Sequence, residues 1–100
     1  DLGLDEGIAW RAADFDDSTW AEGPAQLGYG NGDEATVVRF GGSANNKRIT
    51  TYFRHEFTVA ELVTVNELRL RLTYDDGVAV FLNGTEVLRE NLAANAAYNT

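Results

Sequence analysis

Cysteine is absent from this 100-residue chain, and so is methionine; there is one histidine, His55, and one proline, Pro24. Without cysteine, disulfides and thiolate metal sites are excluded. That fits a cytosolic or a bacterial extracellular setting, and counts against a small eukaryotic secreted module, which often carries a disulfide. A single histidine leaves no His-rich metal site. No apolar run approaches the ~18–20 residues that cross a bilayer as a helix. Bases are scarce: 8 Lys and Arg stand against 16 Asp and Glu, a net charge of −8. Bulk attraction to nucleic-acid phosphates, or to an anionic membrane, is therefore excluded. The opening Asp1-Leu2-Gly3-Leu4-Asp5 is acidic where a secretory signal is basic. With no methionine anywhere, the expectation is a processed or excised piece of a longer protein.

The charge is uneven: residues 1–40 carry nine acids and two bases, residues 41–100 seven and six. Such an acidic half reads first as a solvated surface. Its sharper reading is a Ca²⁺ site, because hard cations take clustered carboxylate and carbonyl oxygens. Length and composition, with two Trp, four Tyr and five Phe, predict one globular domain.

The clearest local signal is Tyr74-Asp75-Asp76-Gly77-Val78-Ala79-Val80-Phe81-Leu82-Asn83-Gly84-Thr85-Glu86-Val87-Leu88. Asn-Gly suits the positive φ angles of a two-residue hairpin turn, and strand-forming residues flank it here. Strands are predicted at 78–82 and 85–89. Residues 49–59 are dense in β-branched and aromatic side chains, and read as a strong strand. Phe53, His55, Phe57 and Val59 share one face; Tyr52, Arg54, Glu56 and Thr58 share the other. Residues 68–74 alternate, with Leu68, Leu70, Leu72 and Tyr74 predicted to point inward. Residues 35–40 read as a short strand, residues 41–48 as a loop, and residues 91–100 as a polar surface loop.

Residues 1–36 read as irregular. Asp17-Ser18-Thr19-Trp20 can start one helical turn, and no sustained helical period follows. The segment Leu27-Gly28-Tyr29-Gly30-Asn31-Gly32-Asp33 needs unusual backbone angles or a close approach of another segment. It lacks the Lys-Ser/Thr pair of a phosphate loop. Short strands with Gly-rich turns predict an all-β, antiparallel β-sandwich. About five strands are visible where a jelly roll uses about eight, so the expectation is a single 1–100 module lacking its final strands.

Candidate site residues follow from residue type and position. Trp10, Trp20, Tyr29 and Tyr52 can stack on sugar rings or fill a core. Core packing is expected for the two Trp, whereas Tyr29, with Asn31 and Asp33 beside it, lies in a loop that could present it to a ligand. Asp75 and Asp76 can share one Ca²⁺, or stabilise a turn in which their side chains bond backbone N–H groups. Asp14, Asp16 and Asp17 are a second acidic group without EF-hand spacing. His55 is predicted to be largely buried and hydrogen-bonded, since no nucleophile stands beside it.

Three blocks carry a resemblance. They are Trp10 with Phe15-Asp16-Asp17-Ser18-Thr19-Trp20 and Gly23-Pro24-Ala25-Gln26-Leu27-Gly28-Tyr29-Gly30; Thr50-Thr51-Tyr52-Phe53-Arg54-His55-Glu56-Phe57; and Leu70 through Gly84 with Arg89-Glu90-Asn91. Together they resemble the galactose-binding-domain-like β-sandwich modules of large secreted bacterial proteins, among them phosphoesterases and glycoside hydrolases. Asp75-Asp76-Gly77 also looks like the Asp-Asp-Gly of the PA14 family, in some members of which an Asp pair holds Ca²⁺ and, through it, sugar hydroxyls. The resemblance implies a jelly-roll fold and a secreted or cell-surface bacterial setting. It implies a non-catalytic accessory role: binding carbohydrate or cell-surface material, or packing against a neighbouring catalytic domain with no ligand. Composition adds the expectation of no membrane insertion and no nucleic-acid partner. In that context Asn83-Gly84-Thr85, a glycosylation match, reads as chance.

Overall fold

The computed structural model describes residues 1–30, 32–39, 41–43, 45–59, 66–74 and 76–99. Its best-formed unit is the predicted hairpin. Strands β3 (Val78–Leu82) and β4 (Thr85–Glu90) pair antiparallel, with Leu82 opposite Thr85. Asn83 and Gly84 make the two-residue turn at φ 49° and 84°, the doubly positive geometry that Asn-Gly favours. The register slips between Val80, opposite Leu88, and Phe81, opposite Glu86. Val87 is thus the extra residue of a bulge, which turns the strand locally.

The other sheet is smaller. β1 (Leu27–Gly28) and β2 (Thr36–Val37) pair in parallel. The Thr36 amide donates to the Gln26 carbonyl at 3.0 Å, and the Thr36 hydroxyl to the Pro24 carbonyl at 2.7 Å. Of the strand expected over 35–40, the described residues 35–39 pair only at Thr36–Val37, and Phe40 lies outside the described residues. Its partner comes from the Gly-rich segment, which reads as a loop in sequence. Among the described residues, helix is confined to one 3₁₀ turn, Ala9–Arg11. Two small sheets with almost no helix are compatible with the all-β class.

Packing centres on the first turn. The Trp10 ring lies 5.0 Å from Tyr52 and 5.5 Å, edge-on, from Phe81 of β3. Tyr52 is 8% exposed and is the buried apolar residue among those described. Phe15 and Trp20 pack edge-to-face at 5.6 Å, and the Trp20 amide closes the predicted turn onto the Asp17 carbonyl at 2.9 Å. Both Trp are half-buried in these ring contacts, and Tyr52 is buried.

Two expectations are corrected. Residues 51–59 and 66–74 join no sheet among the described residues. Near Tyr52 the alternation survives as burial, but reversed in sense. Tyr52 and Arg54 are covered, while Phe53, Phe57 and Val59 are 48%, 53% and 38% exposed. His55 is likewise exposed, not buried, and stacks on Phe57 at 6.4 Å. Leu68, Leu70, Leu72 and Tyr74, predicted to point inward, are all exposed. A two-residue period fixes which side chains share a face; it does not say which face another element will cover. The radius of gyration, 14.8 Å, exceeds the ~13 Å of a compact chain of this length, as uncovered faces require.

Candidate functional site

Residues 41–50 build the most distinctive surface feature. The Asn45 amide donates to the Ser43 hydroxyl and the Asn46 amide to the Ser43 carbonyl, each at 3.2 Å. This short turn delivers Lys47 and Arg48. Arg48 reaches across Gly3, at φ 72°, where a Cβ would sit 2.3 Å from the guanidinium Nε. Its Nη1 lies 3.5 Å from the Asp1 carboxylate, whose side chain is 1% exposed and also accepts the Gly3 amide, at 2.9 Å, and the Tyr52 amide. The Thr50 hydroxyl donates to the Tyr98 carbonyl, which ties this segment to residues near the end of the chain.

Between these parts lies a cleft of about 150 Å³, lined chiefly by Lys47, Arg48, Ile49, Thr50, Tyr98 and Asn99. Ile49 is 65% and Tyr98 41% exposed. The Lys47 ammonium stands 5.4 Å from the centre of the Tyr29 ring, a cation–π distance. Tyr29 therefore flanks the cleft. Aliphatic and aromatic walls, two cations and two short polar side chains are what a small amphipathic ligand needs: surface to cover its apolar face and donors to fix its orientation.

The sequence-derived candidates are dispersed. Tyr29 is half-buried beside β1 and reaches the cleft through Lys47. Asp33 is exposed in the loop between β1 and β2, where the Gly32 amide donates to the Glu34 carboxylate at 3.0 Å. Asn31 and Asp75 lie outside the described residues. Asp76 precedes β3 at φ 61°, and its carbonyl accepts the Asn91 side-chain amide at 3.2 Å.

The group at 14–17 is committed elsewhere. Asp16 accepts the Ser18 amide at 3.0 Å, and its hydrogen bonds to Ser18 hold its carboxyl below the usual range. Asp17 pairs with Arg54. Among the described residues no group of three or more His, Cys, Asp or Glu is arranged to hold a metal ion.

Sequence reasoning missed Lys47, Arg48, Thr50 and Tyr98. One signal was present: Lys47-Arg48 is the one adjacent pair of bases in an acidic chain. Tyr98 had no local signal, since only the fold brings it to Thr50. In comparisons with known proteins, no family model, curated protein or solved structure matches the chain.

Proposed function

We propose that this chain is a non-catalytic accessory module of a secreted or cell-surface bacterial protein, and that it binds carbohydrate in the cleft between residues 47–50 and 98–99. The observation that carries this reading is the cleft itself. An exposed tyrosine ring and an isoleucine offer apolar surface, while Thr50, Asn99 and two cations offer hydrogen bonds. Sugars present that same mixture, with C–H faces for aromatic contact and hydroxyls for polar groups. The resemblance to galactose-binding-domain-like modules supports a jelly-roll sandwich. A binding role, not a catalytic one, is supported by the cleft's lining of cations and hydroxyls instead of the carboxylate pair of glycoside hydrolysis.

The test is a panel of immobilised polysaccharides probed with the wild-type chain and with Tyr98→Ala. Retention on at least one polysaccharide, lost in the variant, is expected. Equal retention of both proteins would move binding away from this cleft.

A second reading is favoured by a separate observation. Phe53 and Phe57, with Leu68, Leu70 and Leu72, present apolar side chains to solvent. Large exposed apolar side chains of this kind are found at contact sites. Under this reading the module is structural: it packs that surface against a neighbouring hydrolase or phosphoesterase domain and takes no ligand.

A further inference from the structure

The hairpin turn holds a reactive pair. Asn83 is exposed, and Gly84, also exposed, places no side chain beside its own amide nitrogen. Their φ angles, 49° and 84°, are those of a type I′ turn, in which the first central residue also holds ψ at roughly +30°. With ψ there, the Gly84 nitrogen stands nearly opposite Asn83 Cβ across the Cα–C bond. The side-chain amide carbon and that nitrogen cannot meet while the turn is formed. The turn is kept by the pairing of β3 with β4, closed by Leu82 opposite Thr85. Phe81 anchors it through the Trp10 ring and the Arg11 guanidinium, which lies 4.1 Å from the Phe81 ring centre. A two-stranded ribbon is marginally stable by itself, so its turn end opens locally without global unfolding.

We propose that Asn83 is a site of spontaneous covalent modification, deamidation, and that opening of the β3–β4 hairpin gates it. On opening, ψ of Asn83 rotates. The Gly84 amide nitrogen gives its proton to solvent and bonds to Asn83 Cγ; the Cγ–Nδ2 bond breaks, and ammonia leaves a cyclic imide. Water then adds to one of the two imide carbonyls. Addition at Cγ breaks the Cγ–N bond and gives aspartate. Addition at the main-chain carbonyl breaks that C–N bond and gives isoaspartate, whose main chain runs through Cβ. Water is the one co-reactant. The two products differ in consequence. Asp-Gly suits the same turn, so aspartate keeps the hairpin and adds a negative charge. Isoaspartate puts an extra main-chain atom into a two-residue turn, and the pairing of Leu82 with Thr85 is lost. A reversible opening thereby becomes a permanent loss of register.

Tryptic peptide 72–89 holds Asn83 as its one side-chain amide, and the other Asn-Gly pair, Asn31-Gly32, falls in peptide 12–39. The mass gain from amide to acid in 72–89 therefore reports Asn83 alone. The chain is incubated at mildly alkaline pH in buffer, in urea below its unfolding transition and in urea above it. A synthetic peptide of residues 80–87, treated identically, is the unstructured reference. The unfolded chain should deamidate at the rate of the reference, and the chain in buffer about tenfold more slowly or beyond, as a closed turn requires. Urea below the transition should raise the rate while tryptophan fluorescence is still native. Equal rates for chain and reference in buffer would overturn the gating. A rate that rises only with the change in fluorescence would overturn gating by the hairpin. An unreacted Asn83 in the unfolded chain, with the reference converted, would overturn the site. Aspartate without isoaspartate would overturn the imide route, and native β4 amide shifts in the isoaspartate product would overturn the loss of register.

Discussion

Arg54 donates its Nε–H to the main-chain carbonyl of Trp10 at 3.0 Å, 44 residues back along the chain. The same guanidinium reaches the carbonyls of Ala12 at 2.8 Å and Phe15 at 3.3 Å, and the Asp17 carboxylate. It also lies 5.2 Å from the centre of the Phe15 ring. With its side chain only 10% exposed, Arg54 takes up the polar backbone of the 10–17 loop and holds both tryptophan clusters in place. Buried carbonyls need such partners, because leaving one unmade costs about 1–3 kcal/mol.

Arg54→Ala is therefore expected to destabilise the fold by on the order of 3 kcal/mol. Arg54→Lys should recover only part, since an ammonium cannot span the guanidinium's acceptors. Urea unfolding followed by tryptophan fluorescence checks this directly, because Trp10 and Trp20 both sit on the clamped loop. A lysine variant as stable as wild type would show that charge alone matters there.

Gly77 and Gly84 are required for different reasons. A Cβ at Gly77 would stand 2.7 Å from the Asn91 carbonyl oxygen, a main-chain atom that cannot swing aside. Gly77→Ala should cost about 1–3 kcal/mol through forced backbone movement. A Cβ at Gly84 would meet only the Arg11 carbonyl oxygen, at an ordinary 3.9 Å, but φ is 84°, so Gly84→Val should cost about 1–2 kcal/mol through backbone strain. Gly42 has neither constraint, and Gly42→Ala should be neutral or slightly stabilising. Thermal melts of the three variants should separate in that order.

Acid should act at the hairpin. Hydrogen bonds from Arg89, at 2.6 and 2.9 Å, hold the Glu86 carboxyl below its ordinary value near 4.5. A depressed folded value means that the contribution is present above about pH 4.5 and is lost as pH falls through the folded value. Glu86→Gln should therefore flatten the acid limb of the stability curve, weakly, because the pair is exposed and screened by salt.

Alkali should act at Tyr52. Burial pushes its phenol above the ordinary value of 10.0. Stability from this group is complete below pH 10 and declines as pH rises through the raised folded value. In an absorbance titration one of the four tyrosines should ionise late, and Tyr52→Phe should remove that step.

The exposed apolar residues predict association. Leu68 and Leu70, each 57% exposed, share a strand-like alternation with Leu72 and Tyr74. Surface of this kind recruits other chains. Sedimentation of the chain should show self-association that weakens in Leu70→Lys. A monomer at all concentrations would remove self-association through this surface.

The hairpin was legible in the sequence because its information is local. Asn83 and Gly84 dictate the turn, and the turn dictates which residues face each other. The single turn ending at Trp20 was legible for the same reason. Arg54 was not. Alternation placed it on the face opposite Phe53 and Phe57, which reads as the solvent side; the structure covers that face with the 10–17 loop. Alternation has no term for such a distant segment. The cleft was illegible because Tyr98 and Thr50 meet only in three dimensions, while Tyr29 was found only by its glycine neighbours. Val87 carries no signature of a bulge, since strand propensity continues through it.

Amide chemical-shift mapping during titration with a saccharide drawn from a polysaccharide that retains the chain tests the central claim, binding in the cleft, most directly. The account predicts shifts concentrated at Gly3, at residues 47–50 and at Tyr98 and Asn99, with Tyr29 moving as Lys47 adjusts, and with the amides of β3 and β4 still. Shifts centred on the hairpin or on Asp33 would contradict it, and so would none at saturating sugar.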